Sequence, residues 1–125
     1  MSIAVSIERL REEVARFGTT PYLLTVTDDA TAHATAVSVE WRGDDLVMSA
    51  GGSSRRNAAA RARASLLWPP FEPGGYSLIS DGDARDIGDD RLAFTPTRAV
   101  LHRPATPATV KTHPDCTADC VPLVS

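Results

Sequence analysis

Apolar and polar positions along this chain follow two periods in turn. Ile7, Leu10, Val14 and Phe17 recur at intervals of three and four residues, with Glu8, Arg11, Glu12 and Arg16 opposite, which predicts an amphipathic helix. Ser6 stands where an N-cap belongs and Gly18 where a helix stops. After Gly18 the pattern shortens to strands. Tyr22 to Thr27 is short, apolar and rich in β-formers, and Asp28-Asp29-Ala30 predicts a turn. A longer run follows from Ala32 to Trp41, then Arg42-Gly43-Asp44-Asp45 turns the chain into Leu46 to Ala50. Gly51-Gly52-Ser53-Ser54 interrupts this rhythm before a short Ala- and Arg-rich helix expected from Arg55 to Arg63. Ser65 to Trp68 reads as a buried strand, and the Pro-rich segment 69–75 as a loop. Tyr76 to Ser80, extended towards Ile87, and Arg91 to Arg103 complete the set, with Pro96 marking a break, bulge or edge in the last run. These elements predict an α+β domain: a small antiparallel barrel of about six strands, an N-terminal helix and a short inserted helix.

A chain of 125 residues is one domain by length. The organisation expected is a barrel over 1–104 and a Pro/Thr-rich tail over 105–125. An apolar fraction of 42% and a charged fraction of 23% exclude a disordered or low-complexity scaffold. No apolar run approaches the ~18 residues of a membrane span, and the N-terminus lacks the basic n-region of a secretory signal. A cytoplasmic protein with no membrane partner is expected.

Charge narrows the partners. The net charge is −3, yet no Asp or Glu occurs between Leu46 and Phe71, where Arg55, Arg56, Arg61 and Arg63 all fall. A globally acidic chain with one basic patch suits a small anionic ligand better than a nucleic acid, which needs a broad basic face. The segment Gly51 to Asn57 carries the strongest local signal. Its glycines allow a sharp turn, Ser53 or Ser54 can cap the helix, and Arg55 and Arg56 fall in the first turn, where the dipole disfavours cations. Free N–H groups, seryl hydroxyls and guanidinium forks together suit a bound anion; the alternative is an Ala-rich helix whose arginines face water.

The order of these parts — leading helix, the strand pair within YLLTVTDDATAHATAVSVEW, the strand LVMSA, a Ser/Arg loop ending in Asn57, a short helix and SLLW — resembles the pyridoxamine 5′-phosphate oxidase-like split β-barrels over residues 6–104. That resemblance implies a flavin-binding or deazaflavin-binding protein. The cofactor phosphate is then expected at Ser53, Ser54, Arg55, Arg56 and Asn57, and the isoalloxazine ring beside Ala36, Val37 and Ser38. It also implies a homodimer, with sites built at the interface. This chain departs from the family pattern where Gly52 and Ser54 stand in place of a Lys or Arg before the Asn. Either an arginine reaches back or the phosphate site is weakened.

A flavin performs the hydride chemistry itself while the protein binds and orients, so no catalytic side chain is singled out. The patch is of single-phosphate size, which favours FMN, with a deazaflavin as the alternative. The function expected is an oxidoreductase moving hydride between flavin and a small molecule; a non-catalytic, flavin-sequestering module of the same fold is the other reading. Trp68, Phe71 and Tyr76 suit a wall over the ring or packing against sheet or partner. His33 and His102 fall on strands, where a lone histidine is usually structural. His113, Cys116 and Cys120 crowd together, but the CxxxC spacing is loose and a fourth ligand unclear, so no metal site is assigned. In the cytoplasm the two thiols are expected reduced.

Overall fold

The computed structural model describes residues 1–104, in the order β1 (Ser2–Val5), α1 (Ile7–Phe17), β2 (Tyr22–Val26), β3 (Ala32–Ala36), β4 (Val39–Arg42), β5 (Asp45–Ser49), α2 (Gly52–Ala60), β6 (Arg63–Trp68), β7 (Ser77–Gly88) and β8 (Arg91–His102). The tail expected over 105–125, with His113, Cys116 and Cys120, lies outside the described residues. Helix α1 forms as its pattern requires. Ser6 Oγ accepts from the Arg9 N–H at 3.2 Å, Gly18 at φ 103° ends the helix, and Leu10 and Val14 are buried.

All eight strands join one antiparallel sheet in the order β3-β2-β6-β7-β8-β5-β4, with β1 on β8. Among the described residues there are eight strands rather than about six, for two reasons. The N-terminal residues add β1, whose pairing with the end of β8 no local pattern announces. The run from Ala32 to Trp41 also breaks at Val37-Ser38, where the Val37 N–H donates to Pro21 O and the Val39 N–H to Thr19 O. The break sends β3 and β4 to opposite edges of the sheet, so the barrel does not close.

Strand β8 explains the split. Its first half pairs with β5 and its second with β1, while β7 runs along its other side throughout. Between the halves the β7 register shifts: Asp81 faces Arg98 but Gly82 faces Pro96, leaving Thr97 as the extra residue of a bulge. Pro96 therefore sits where a missing N–H costs nothing. Gly82 is required opposite it, since a Cβ there would run into the Thr95 carbonyl and lie 2.8 Å from Phe94 Cζ. The hairpin closes on Asp89 and Asp90, both left-handed (φ 56° and 59°), as in a two-residue type I′ loop.

One core fills the space between the sheet faces and α1, built on Leu10, Leu23, Leu46, Leu66, Trp68, Leu78, Leu92 and Phe94. Trp68 belongs to this core and not to a wall over a ligand; its Nε1–H donates to Gly18 O at 2.8 Å. Phe71 remains exposed and stacks on Phe17 with ring centroids 5.1 Å apart. Among the described residues no helix is long and apolar enough to cross a membrane.

Candidate functional site

Helix α2 starts three residues earlier than its sequence suggests. Gly51, in extended conformation, is the N-cap, and no side chain caps the helix. Ser53 and Ser54 thus lie within the first turn instead of before it, and Arg55 and Arg56 follow that turn. The glycine pair explains the shift: Gly is acceptable at N-cap, so helix formation runs back to the point where β5 releases the chain. The first-turn N–H groups are left for solvent or a ligand.

Two pins fix this helix against the β2–β3 hairpin. Asn57 Nδ2 donates to Thr25 Oγ1 at 3.1 Å, with both residues buried. Arg61 Nε donates to Val26 O at 3.1 Å, and its Nη2 to Asp28 Oδ1 at 2.8 Å. The hairpin turn is ordered from within. The Thr27 N–H donates to Thr31 O, the Thr31 N–H to Thr27 Oγ1, and the Thr27 hydroxyl to Asp29 Oδ1. Hydrogen bonds from the Thr27 and then the Thr31 side chain hold the Asp29 carboxyl below its ordinary value, so it stays ionised.

Between helix and turn lies a cleft of about 550 Å³, bounded by Ser53, Arg56 and Asn57 on one side and by Thr27, Asp28, Asp29, Thr31 and His33 on the other. Its size is that of a small-molecule site. Arg56 brings one guanidinium, 3.4 Å from Ser53 Oγ. The opposing carboxylates are occupied, Asp28 by Arg61 and Asp29 by the threonines of its own turn. The His33 Nδ1 is buried with no hydrogen-bond partner.

The eight residues expected around a cofactor are not all brought together. Ser53, Arg56 and Asn57 share the cleft. Ser54 is buried beneath the helix, at 2% exposure. Arg55 turns to the other side, its Nε donating to Ala50 O at 3.1 Å and its Nη2 3.3 Å from Asp90 Oδ1. Ala36, Val37 and Ser38 lie at the end of β3 away from the turn, with Ala36 and Ser38 exposed and Val37 buried. His102 pairs with Ser2, its Nδ1 3.0 Å from Ser2 Oγ, and does not line the cleft. Thr27, Thr31 and His33 escape sequence reasoning as cleft residues, because what relates them to Ser53 is helix-to-hairpin packing between segments twenty or more residues apart in the chain. Among the described residues no group of three or more His, Cys, Asp or Glu is placed to hold a metal ion.

The sequence matches no protein-family model. It is 40% identical to uncharacterized proteins of Mycobacterium tuberculosis and Mycobacterium bovis, across 80% of this chain and 82% of each relative. A solved Clostridium acetobutylicum protein, related to general stress protein 26 of B. subtilis and of the pyridoxinephosphate oxidase family, superimposes with TM-score 0.63 at 12% identity, over 79% of this chain and 91% of its own. An FAD binding protein from Mycobacterium smegmatis gives 0.58 at 14% identity, over 82% and 100%. An F420 reductase gives 0.52 at 19% identity, over 65% and 88%. At these identities the structural likeness is one of fold.

Proposed function

Because this chain is a pyridoxamine 5′-phosphate oxidase-like split barrel, of one family with the two mycobacterial proteins, we propose that it binds FMN and serves as a homodimeric oxidoreductase for a small molecule. The observation that carries this reading is the open N-terminus of α2, with Ser53 and Arg56 facing the cleft. The residues present suit a phosphate monoester: the Ser53 hydroxyl and the Arg56 guanidinium line the cleft beside a first turn whose N–H groups no side chain caps. Asn57 holds the helix in place from below. Ala36 and Ser38, at the exposed end of edge strand β3, would border the ring, with Val37 anchoring that corner in the core. Once bound, the flavin supplies hydride acceptance and donation; the protein supplies orientation.

The partner is a second copy of the chain. Tyr22, Leu24 and Val26 alternate with buried Leu23 and Thr25, and so share the outer face of β2 with Ala36, Ala34 and Ala32 opposite them on β3. Tyr22 is 44% and Val26 39% exposed, an apolar sheet face of the kind that marks an interface. Ala34→Arg, at an exposed position, should leave the monomer folded and abolish the dimer in sedimentation analysis.

The test of the cofactor is titration with FMN and, in parallel, riboflavin, following flavin fluorescence. Arg56→Ala should weaken FMN by about tenfold or more, the worth of a charge-assisted hydrogen bond, and leave riboflavin unchanged. Equal loss for both flavins would remove the phosphate from Arg56. A deazaflavin is the second cofactor reading, favoured by the likeness to the F420 reductase fold. A flavin-sequestering role without catalysis is favoured by the diversion of Arg55 to Asp90, which leaves the cleft one cation.

A further inference from the structure

The arginine that the cleft does not use is not idle. Arg55 folds back along α2, and its Nη2 lies 3.8 Å from where a Cβ on Gly52 would stand, at the first residue of the helix. Its guanidinium therefore reaches the open helix end, one residue from Ser53. A carboxylate is already there. Asp90 Oδ1 lies 3.3 Å from Nη2, and the turn that presents it is clamped to the loop before α2 by the Ala50 N–H, which donates to Asp90 O at 2.9 Å. The two partners are unequally held. The Arg55 side chain is 29% exposed and anchored through Nε on Ala50 O, whereas the Asp90 side chain is 79% exposed. An exposed carboxylate is cheap to displace because water takes it up readily. The arginine can keep its anchor and exchange one anion for another.

We infer that Asp90 is an internal counter-anion that competes with an incoming phosphate for Arg55 and so sets the affinity of the α2 N-terminus for anions. This rests on the reading that the helix end receives a phosphate. In the free protein Asp90 neutralises the second cation; when the phosphate binds, Arg55 leaves Asp90 for it, and the carboxylate turns to water. Asp90 thereby determines how much negative charge a ligand must bring in order to bind.

Asp90→Asn is the direct test, since Asn tolerates the left-handed conformation of this position (φ 59°). Wild type, Asp90→Asn, Asp90→Asn/Arg55→Ala and the charge control Asp89→Asn are titrated with FMN, riboflavin and inorganic phosphate. Asp90→Asn should tighten FMN and phosphate by about fivefold, the worth of one surface ion pair, with riboflavin and Asp89→Asn unchanged and the gain lost with Arg55. Phosphate tightened through Arg55 while no flavin binds would uphold the counter-anion and overturn the flavin reading instead. The inference fails if Asp90→Asn leaves phosphate unchanged, if Asp89→Asn does as much, or if the gain survives loss of Arg55.

Discussion

The two helices are built on opposite plans. Helix α1 is closed at both ends by its own neighbours, Ser6 at the start and Gly18 at the finish, and Leu10 and Val14 of its apolar stripe are buried in the core with Phe17 packed against it. Helix α2 has a glycine for a cap, no acidic residue in its first turn, and Ala58 as its buried apolar residue. What holds α2 is lateral: Asn57 on Thr25, and Arg61 on Val26 and Asp28. A helix whose ends are satisfied from within has nothing to offer a ligand. One held from its sides can leave its N-terminus open, and that difference separates α1 from the helix proposed to bind.

The largest effect expected from breaking this contrast lies in α1. Leu10 is fully buried, so Leu10→Ala should cost about 2–5 kcal/mol, read as a lowered midpoint in urea unfolding. Asn57→Ala strips the buried Thr25 hydroxyl of its partner and should cost about 1–3 kcal/mol. It should also loosen α2 selectively, seen as faster amide exchange there than in α1. Gly51→Asp converts the second helix to the plan of the first. Its φ of −71° admits any residue, and the new cap should add a few tenths of a kcal/mol while reducing FMN affinity by about tenfold through an anion placed in the site. A gain in stability with no loss of affinity would separate the helix end from the ligand.

The smallest effect is one of pH. Asp29 titrates below its ordinary value of 3.8 because Thr27 and then Thr31 hydrogen-bond its charged form. Its support for the turn is therefore complete above the ordinary carboxylate range and is lost as pH falls through the lowered value. Amide exchange in residues 27–31 should rise below about pH 4 and should not do so in Asp29→Asn, while α1 is indifferent.

Much of this was legible in residue order. The stripe of α1 and its caps, the hairpin turns at Asp28–Ala30 and Arg42–Asp45, and an irregularity at Pro96 follow from periods and turn residues that act within a few positions. Four features of the candidate site resisted. The start of α2 moved because two glycines permit several helix origins and only the exit of β5 selects one. Ser54 and Ser53 look alike in sequence, yet the helix phase buries one and exposes the other. Arg55 and Arg56 are adjacent, yet successive helical positions point about 100° apart, sending one to Asp90 and the other to the cleft. His33 joins the cleft only because α2 packs on the hairpin that carries it.

The sequence by itself determined the class of fold, the closed helix α1 and most of the strands that make up the sheet. These depend on local backbone preferences and on the spacing of apolar residues, both written into neighbouring positions. Only the tertiary structure decided that β3 and β4 part company, that β8 serves two partners across its bulge, and that the cleft receives Arg56 while Arg55 answers to Asp90. Those outcomes depend on contacts between residues distant in the chain, where the energy of packing chooses among arrangements that local preference leaves equal.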